Sequence, residues 1–137
     1  MSGLPTPSPM PNLETREFWE GLDRGVFLLR RCDGCGNHIW YPRFVCPACH
    51  STDTSWVESS GKGTVYTYTV VRRPPGGPWN EAVPFVVGYV ELEEGPRVLS
   101  NIVDVDPNAV TVGMPVQVVY HKADNEGGGT LYRFAPR

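Results

Sequence analysis

Apolar residues along the chain recur first at helical spacing and later in alternating, β-branched runs. Phe18, Leu22 and Val26 fall at every fourth position, with Trp19 beside them. That period lines one face of a helix. Asn12 is a good N-cap, and Glu14 and Glu17 sit where the positive end of a helix dipole favours acid. The pattern predicts a short amphipathic helix over about residues 13–24, stopped by Gly25, with Val26 continuing the apolar face. Phe18 and Trp19 are large for so short an element. They could pack on the chain's own core or dock on another protein.

From Gly61 onward the pattern changes. Lys62 to Arg73 contains Val65-Tyr66-Thr67-Tyr68-Thr69-Val70-Val71, a run of β-branched and aromatic residues that reads as a strand. Further strands are predicted at Phe85–Leu92, Val98–Val105, Val116–His121 and Thr130–Phe134. Turn-forming residues separate them: Pro74-Pro75-Gly76-Gly77-Pro78, Glu94-Gly95-Pro96, Pro107-Asn108, Gly113 and Gly127-Gly128-Gly129. Five short strands in about 75 residues predict a small closed or nearly closed barrel. The loop from Pro74 to Pro84 is the longest, and is a candidate for mobility or function.

Composition adds limits. Gly (15) and Pro (14) are abundant in the 137 residues, favouring turns over long helices. Pro5, Pro7, Pro9 and Pro11 make residues 1–11 a Pro-rich arm, expected to be flexible or laid against a partner. That arm has no basic start and no apolar run, so it does not read as a secretory signal. No stretch approaches the roughly 18 apolar residues of a membrane span. A cytoplasmic protein is the expectation. Twelve basic against fifteen acidic side chains give a net charge of −3. Residues 1–61 carry −2 and residues 62–137 carry −1, so neither half reads as a phosphate-seeking surface.

The four cysteines carry the clearest chemistry. Cys32 and Cys35 form one C-x2-C pair, Cys46 and Cys49 a second, with ten residues between the pairs. Two such knuckles aim four thiolates at one ion, and this spacing fits a closed tetrahedral zinc site. Iron in a rubredoxin-like site is the alternative. Two disulfides are disfavoured without a secretory signal. A closed four-sulfur site has no open position to activate water, so its role is to replace a core that 30 residues cannot build. His38 and His50 flank the knuckles but are surplus as ligands. Trp40, Tyr41, Pro42 and Phe44 fill the inter-knuckle loop, either as ribbon packing or as a contact surface, and Arg30, Arg31 and Arg43 surround it.

Catalytic machinery is not legible. The metal uses every cysteine, and three histidines remain, with His121 alone in a strand pattern. There is no nucleophile elbow, phosphate loop, dinucleotide fingerprint or H-E-x-x-H. Gly127-Gly128-Gly129 lacks the lysine and helix of a phosphate cradle and reads as a hairpin tip. Glu91, Glu93 and Glu94 read as a solvated strand end rather than an acid/base pair.

Taken together, several motifs carry a family resemblance. They are Phe18-Trp19 with Gly25; Arg31-Cys32-Asp33-Gly34-Cys35-Gly36; Tyr41-Pro42-Arg43 before Cys46-Pro47-Ala48-Cys49; Trp56; Gly61-Lys62-Gly63-Thr64-Val65-Tyr66; Thr69-Val70-Val71; Val83-Pro84-Phe85; Val90-Glu91-Leu92; Gly113-Met114-Pro115-Val116; and Arg133-Phe134-Ala135-Pro136. Across residues 12–136 the chain resembles the acyl-CoA-associated proteins that join a rubredoxin-like zinc ribbon to a C-terminal OB-fold. The resemblance implies a mainly β protein: a flexible arm (1–11), an amphipathic helix (12–26), a zinc ribbon (27–60) and a five-stranded OB-fold barrel (61–137).

It also implies a way of working. Relatives bind thiolase-fold enzymes or hydratases acting on CoA thioesters, among them lipid-transfer-protein-like aldolases that remove steroid side chains by retro-aldol cleavage. The partner supplies the chemistry, and the family offers no universal catalytic residue. The expectation is therefore a non-catalytic accessory subunit with structural zinc, in a hetero-oligomer, that forms a required component of a lyase or acyltransferase complex. Phe18, Trp19, Trp40, Phe44 and Trp79 are the candidate partner-facing residues, because large aromatics dominate interface energetics. Arg72 and Arg73, beside the Pro74–Pro84 loop, are the candidates for contacting acyl-CoA, whose phosphates are anionic. A nucleic-acid-binding module stacking bases on Tyr66 and Tyr68 is the alternative. A self-sufficient acyl-CoA hydratase or transferase is a third reading, weakened by the shortage of acids, bases and nucleophiles.

Overall fold

Helix α1 spans Arg16–Asp23 in a computed structural model that describes residues 3–137. It starts later than the sequence predicts. Asn12 Oδ1 accepts from the Thr15 N–H and Thr15 Oγ1 accepts from the Asn12 N–H, both at 3.0 Å. This reciprocal pair closes a turn over residues 13–15, leaving Thr15 at the helix N-cap. The C-terminal end falls as predicted. Gly25 adopts a φ of +72°, its N–H reaches Leu22 O, and the Val26 N–H reaches Gly21 O at 2.9 Å. That paired arrangement satisfies the last carbonyls and requires a left-handed residue, which glycine accommodates.

A three-stranded antiparallel sheet follows: β1 (Leu28–Cys32), β2 (His38–Ile39) and β3 (Thr54–Glu58), in the order β2-β1-β3. Five more strands then form a closed barrel. They are β4 (Lys62–Val71), β5 (Phe85–Leu92), β6 (Arg97–Ile102), β7 (Pro115–Lys122) and β8 (Thr130–Pro136), in the order β4-β5-β6-β8-β7. Pairing is antiparallel except between β6 and β8, which meet in parallel at Ile102 and Phe134. β6 stops three residues before the predicted Val105, because Asp104 at φ +59° turns the chain into a short 3-10 turn at Pro107–Ala109. β8 runs two residues past Phe134 and stays paired with β7 throughout. A bulge between Val65 and Thr67 sets Tyr66 out of register with β5. At Gly63 the strands come so close that a Cβ would strike Glu91 O and the Val90 side chain.

Helix, ribbon and barrel share one core. Phe18, Leu22, Phe27 and Leu29 pack in the same buried cluster as Val65, Val90, Val98, Val116 and Phe134. Only Ser59–Gly61 separates β3 from β4, and a clasp spans the join. Ser59 Oγ donates to Glu94 Oε1, the Ser60 N–H to Glu94 Oε2 and Ser60 Oγ to Glu93 Oε1, at 2.8–2.9 Å. The Pro74–Pro84 loop is not structureless: Gly77–Glu81 form a 3-10 turn, and Trp79 lies 5.0 Å from Phe85. No helix among the described residues is long and apolar enough to cross a membrane.

The arm departs from expectation. Of residues 1–11, the first two lie outside the described part, and Pro5 to Pro9 touch the barrel rather than standing free of it. Thr6 is 4% exposed, its N–H donates to Asp124 Oδ2, and its carbonyl accepts from the Asp124 N–H. Prolines bar helix and ladder but not docking through the donors that remain.

Candidate metal centre and contact surfaces

The two knuckles repeat one geometry. In the first, the Cys35 N–H points at Cys32 Sγ (3.4 Å), the Gly36 N–H reaches Cys32 O, and the Cys32 N–H reaches Asn37 O. In the second, the His50 N–H reaches Cys46 O and the Cys46 N–H reaches Ser51 O. Each knuckle needs a left-handed residue just after its second cysteine: Gly36 (φ +79°) in one and His50 (φ +65°) in the other. His50 thus serves as a backbone corner, and both it and Cys49 are exposed. Cys32 and Cys46 are fully buried with Ile39 in a small cluster of their own.

All four sulfurs lie within 4.8 Å of one another. Cys32 and Cys49 are 3.5 Å apart, and Cys35 and Cys46 3.7 Å. An ion bound tetrahedrally at ~2.3 Å from each sulfur needs separations of ~3.8 Å, so the residues fit one. The electrostatics point the same way. Backbone N–H groups of Cys49 and Ala48, opposed by burial, hold the Cys46 thiol down to about 6. The Cys35 N–H likewise lowers Cys32. The Ser51 N–H favours a Cys49 thiolate, yet the sulfurs of Cys32, Cys35 and Cys46, with burial, push it up to about 12. Four sulfurs this close resist ionising together, and a divalent cation removes that resistance.

The aromatic candidates separate once placed. Phe18 is fully buried at the centre of an aromatic cluster, 5.0 Å from Trp19, 5.3 Å from Phe27 and 5.8 Å from Tyr132. It is a core residue and cannot face a partner; the helical period that revealed it is the signature of burial. Trp40 is half-buried, stacked on Phe27 at 5.7 Å. Trp19 keeps one edge outward and donates from Nε1 to the exposed Tyr41 hydroxyl at 3.1 Å. The half-buried Phe44 packs beneath Arg30, which lies between it and Trp56 at 5.0 and 4.9 Å. The Phe44 N–H donates to Glu14 Oε2. Leu13 and Val45, the chain neighbours of that pair, are exposed.

The remaining candidates lie on the barrel. Arg72 and Arg73 are exposed, and Arg72 donates to Asn108 Oδ1. Tyr66 and Tyr68 do not form a paired stacking face: Tyr66 sits at the bulge under the Arg97 guanidinium at 3.9 Å, while Tyr68 packs against the core. Glu93 and Glu94 belong to the ribbon–barrel clasp, and Glu91 pairs with Arg97 at 3.1 Å. Sequence reasoning missed Arg133, which is 2% exposed. The available signal was a lone arginine between Tyr132 and Phe134 in an apolar strand.

This fold and this site define a zinc ribbon joined to an OB-fold. Residues 19–55 match the family described as "ChsH2, rubredoxin-like zinc ribbon domain", and residues 56–121 match "ChsH2, C-terminal OB-fold domain". The chain belongs to this ChsH2 (DUF35) family, and its four cysteines form the family's zinc site. A DUF35 domain-containing scaffold protein of Methanothermobacter thermautotrophicus is 39% identical over 130 residues, covering 90% of this chain and 97% of the relative. Two longer relatives are 35% identical over 120 residues: a probable enoyl-CoA hydratase alpha subunit of Thermomonospora curvata and the 3-oxo-4,17-pregnadiene-20-carboxyl-CoA hydratase alpha subunit of Mycobacterium tuberculosis. The matches cover 88% and 82% of this chain, which spans only 37% and 35% of their lengths. Among solved structures, a chain of the Ltp2-ChsH2(DUF35) aldolase superposes with a TM-score of 0.81 at 35% identity, covering 93% of this chain and 98% of that one.

Proposed function

We propose that this chain is a non-catalytic accessory subunit that binds and completes a thiolase-fold enzyme acting on acyl-CoA thioesters, of the kind that performs retro-aldol cleavage in steroid side-chain degradation. The observation that carries this reading is the end-to-end likeness to a subunit of an aldolase complex. The chemistry of the chain supports it. Its four cysteines form one closed metal site, which leaves no open coordination position for substrate or water. The partner-facing residues in this reading are Trp19 with Tyr41, Phe44, the outer edge of Trp40, and Trp79; Arg72 and Arg73 contact the CoA phosphates.

The test is capture of the tagged, zinc-loaded chain from its native lysate, with identification of what stays bound. A thiolase-fold protein at about one copy per chain, whose acyl-CoA cleavage requires both proteins, is the expected result. A chain that ignores every such enzyme overturns the reading. The likeness to two hydratase alpha subunits favours a second reading, in which the partner is an acyl-CoA hydratase. Capture of a hydratase instead of a thiolase-fold protein selects it.

A further inference from the structure

Arg133 on β8 is a buried cation with no carboxylate in hydrogen-bond contact, although the Asp124 charge acts on it through space. It is 2% exposed, and the ion pairs among the described residues are Arg31–Asp33 and Arg97–Glu91. Buried charges are ordinarily paired. The hydrogen-bond partners of Arg133 are all neutral. Nε donates to Asn101 Oδ1 at 3.3 Å, Nη1 to both Thr6 Oγ1 and His121 Nδ1 at 3.0 Å, and Nη2 to Pro5 O at 2.7 Å. The two terminal nitrogens of a guanidinium form the fork that matches the paired oxygens of a carboxylate or phosphate. Here the N-terminal arm puts one oxygen on each nitrogen, the Thr6 hydroxyl on Nη1 and the Pro5 carbonyl on Nη2. The arm thus occupies, with neutral atoms, the two positions that an oxyanion would take.

The surroundings allow exchange. The arm is not part of the barrel ladder; besides Arg133, Asp124 holds Thr6 through its carboxylate and N–H, and Asn125 Nδ2 reaches Ser8 Oγ at 3.5 Å. A cavity of about 760 Å³ is lined by Leu4 and Thr6 of the arm together with Ala82, Tyr120 and Lys122. The charged side chains of the lining are Lys122, which is exposed, and the carboxylates Glu81 and Asp124. We propose that Arg133 is the floor of an oxyanion site masked by the chain's own arm, and that a small molecule bearing a carboxylate or phosphate displaces Pro5 and Thr6 from it. This site stands independently of the partner reading.

The full chain is titrated with inorganic phosphate and, separately, with acetate, following hydrogen exchange at the Thr6 amide and heat of binding. Saturating oxyanion is expected to speed Thr6 exchange while the β7–β8 amides stay protected. Asp124→Ala, which loosens the arm and removes the carboxylate charge acting on Arg133, is expected to tighten oxyanion binding at least about tenfold, and Arg133→Lys, which keeps charge but loses the fork, to weaken it by about the same factor. A preference for one of the two probes identifies the headgroup. Binding that is unchanged in Arg133→Lys, or no binding by either probe to Asp124→Ala, overturns the proposal and leaves the arm a fixed strap.

Discussion

Phe18 of the helix and Tyr132 of the last barrel strand stand edge to face, 5.8 Å between ring centroids at 82°. Phe27, at the entrance to the ribbon, meets both rings at 5.3 Å. The helix and the start of the ribbon therefore share one aromatic joint with a barrel strand more than a hundred residues away, and the ribbon is not a loosely tethered appendage. Burial raises the Tyr132 hydroxyl well above its usual range, as expected of a ring held in that joint.

Phe18→Ala should lower the free energy of unfolding by about 3–5 kcal/mol, the usual cost of emptying a buried phenylalanine site. Urea denaturation followed by tryptophan fluorescence measures it. Trp19→Ala, at a half-exposed position, should cost clearly less and should weaken partner capture more. The reverse order would mean that the helix face is not the joint described above.

Removing the metal should dismantle the knuckle end of the ribbon first. Cys32 and Cys46 form its own small cluster with Ile39, so without the ion little apolar core remains there. Mass spectrometry under native conditions should find one zinc per chain. Chelation, or Cys46→Ser, should abolish amide protection at the two knuckles, among them the Gly36 and His50 amides, while β1, whose Leu28 and Leu29 lie in the shared core, and the barrel strands stay protected. Acidification should release the ion, because the ligands bind as thiolates and protons compete for them.

Glu94→Ala should remove about 1 kcal/mol by taking two acceptors from the Ser59–Ser60 clasp. It should also raise hydrogen exchange at the Ser60 and Gly61 amides. Glu91→Ala removes only an exposed pair with Arg97 and should cost less than about 1 kcal/mol. Thermal unfolding of the two variants side by side separates the clasp from the surface pair.

His121 predicts a pH dependence. Burial first, and then the Arg133 charge, hold its pKa below 6.5, although Asp104 acts in the opposite direction. The unfolded chain therefore binds this proton more readily than the folded one. The stability associated with neutral His121 is fully present above pH 6.5 and is lost as pH falls from there through the lowered value. Urea denaturation of the native chain and His121→Asn at pH 7.5 and 5.5 checks it. The variant should show a shallower loss of stability on acidification, and equal slopes would rule His121 out.

Spacing along the chain was enough to read the zinc knuckles, the five barrel strands and the end of the helix at Gly25. These depend on local chemistry: two sulfurs two residues apart, β-branched runs broken by turn residues, a glycine that accepts a left-handed backbone. Strand ends were less legible, as at Asp104, where a non-glycine residue takes a positive φ and shortens β6. Partners distant in sequence could not be read at all. Pattern alone does not say that Phe18 turns inward to Tyr132, that Glu94 clasps Ser59, or that Pro5 and Thr6 cover an arginine more than a hundred residues away. A periodic face reveals that a residue is apolar on one side of an element, whereas what covers that side depends on how barrel closure brings remote strands together. The metal site was therefore written in the sequence, and the division between core aromatics and exposed ones was decided only in three dimensions.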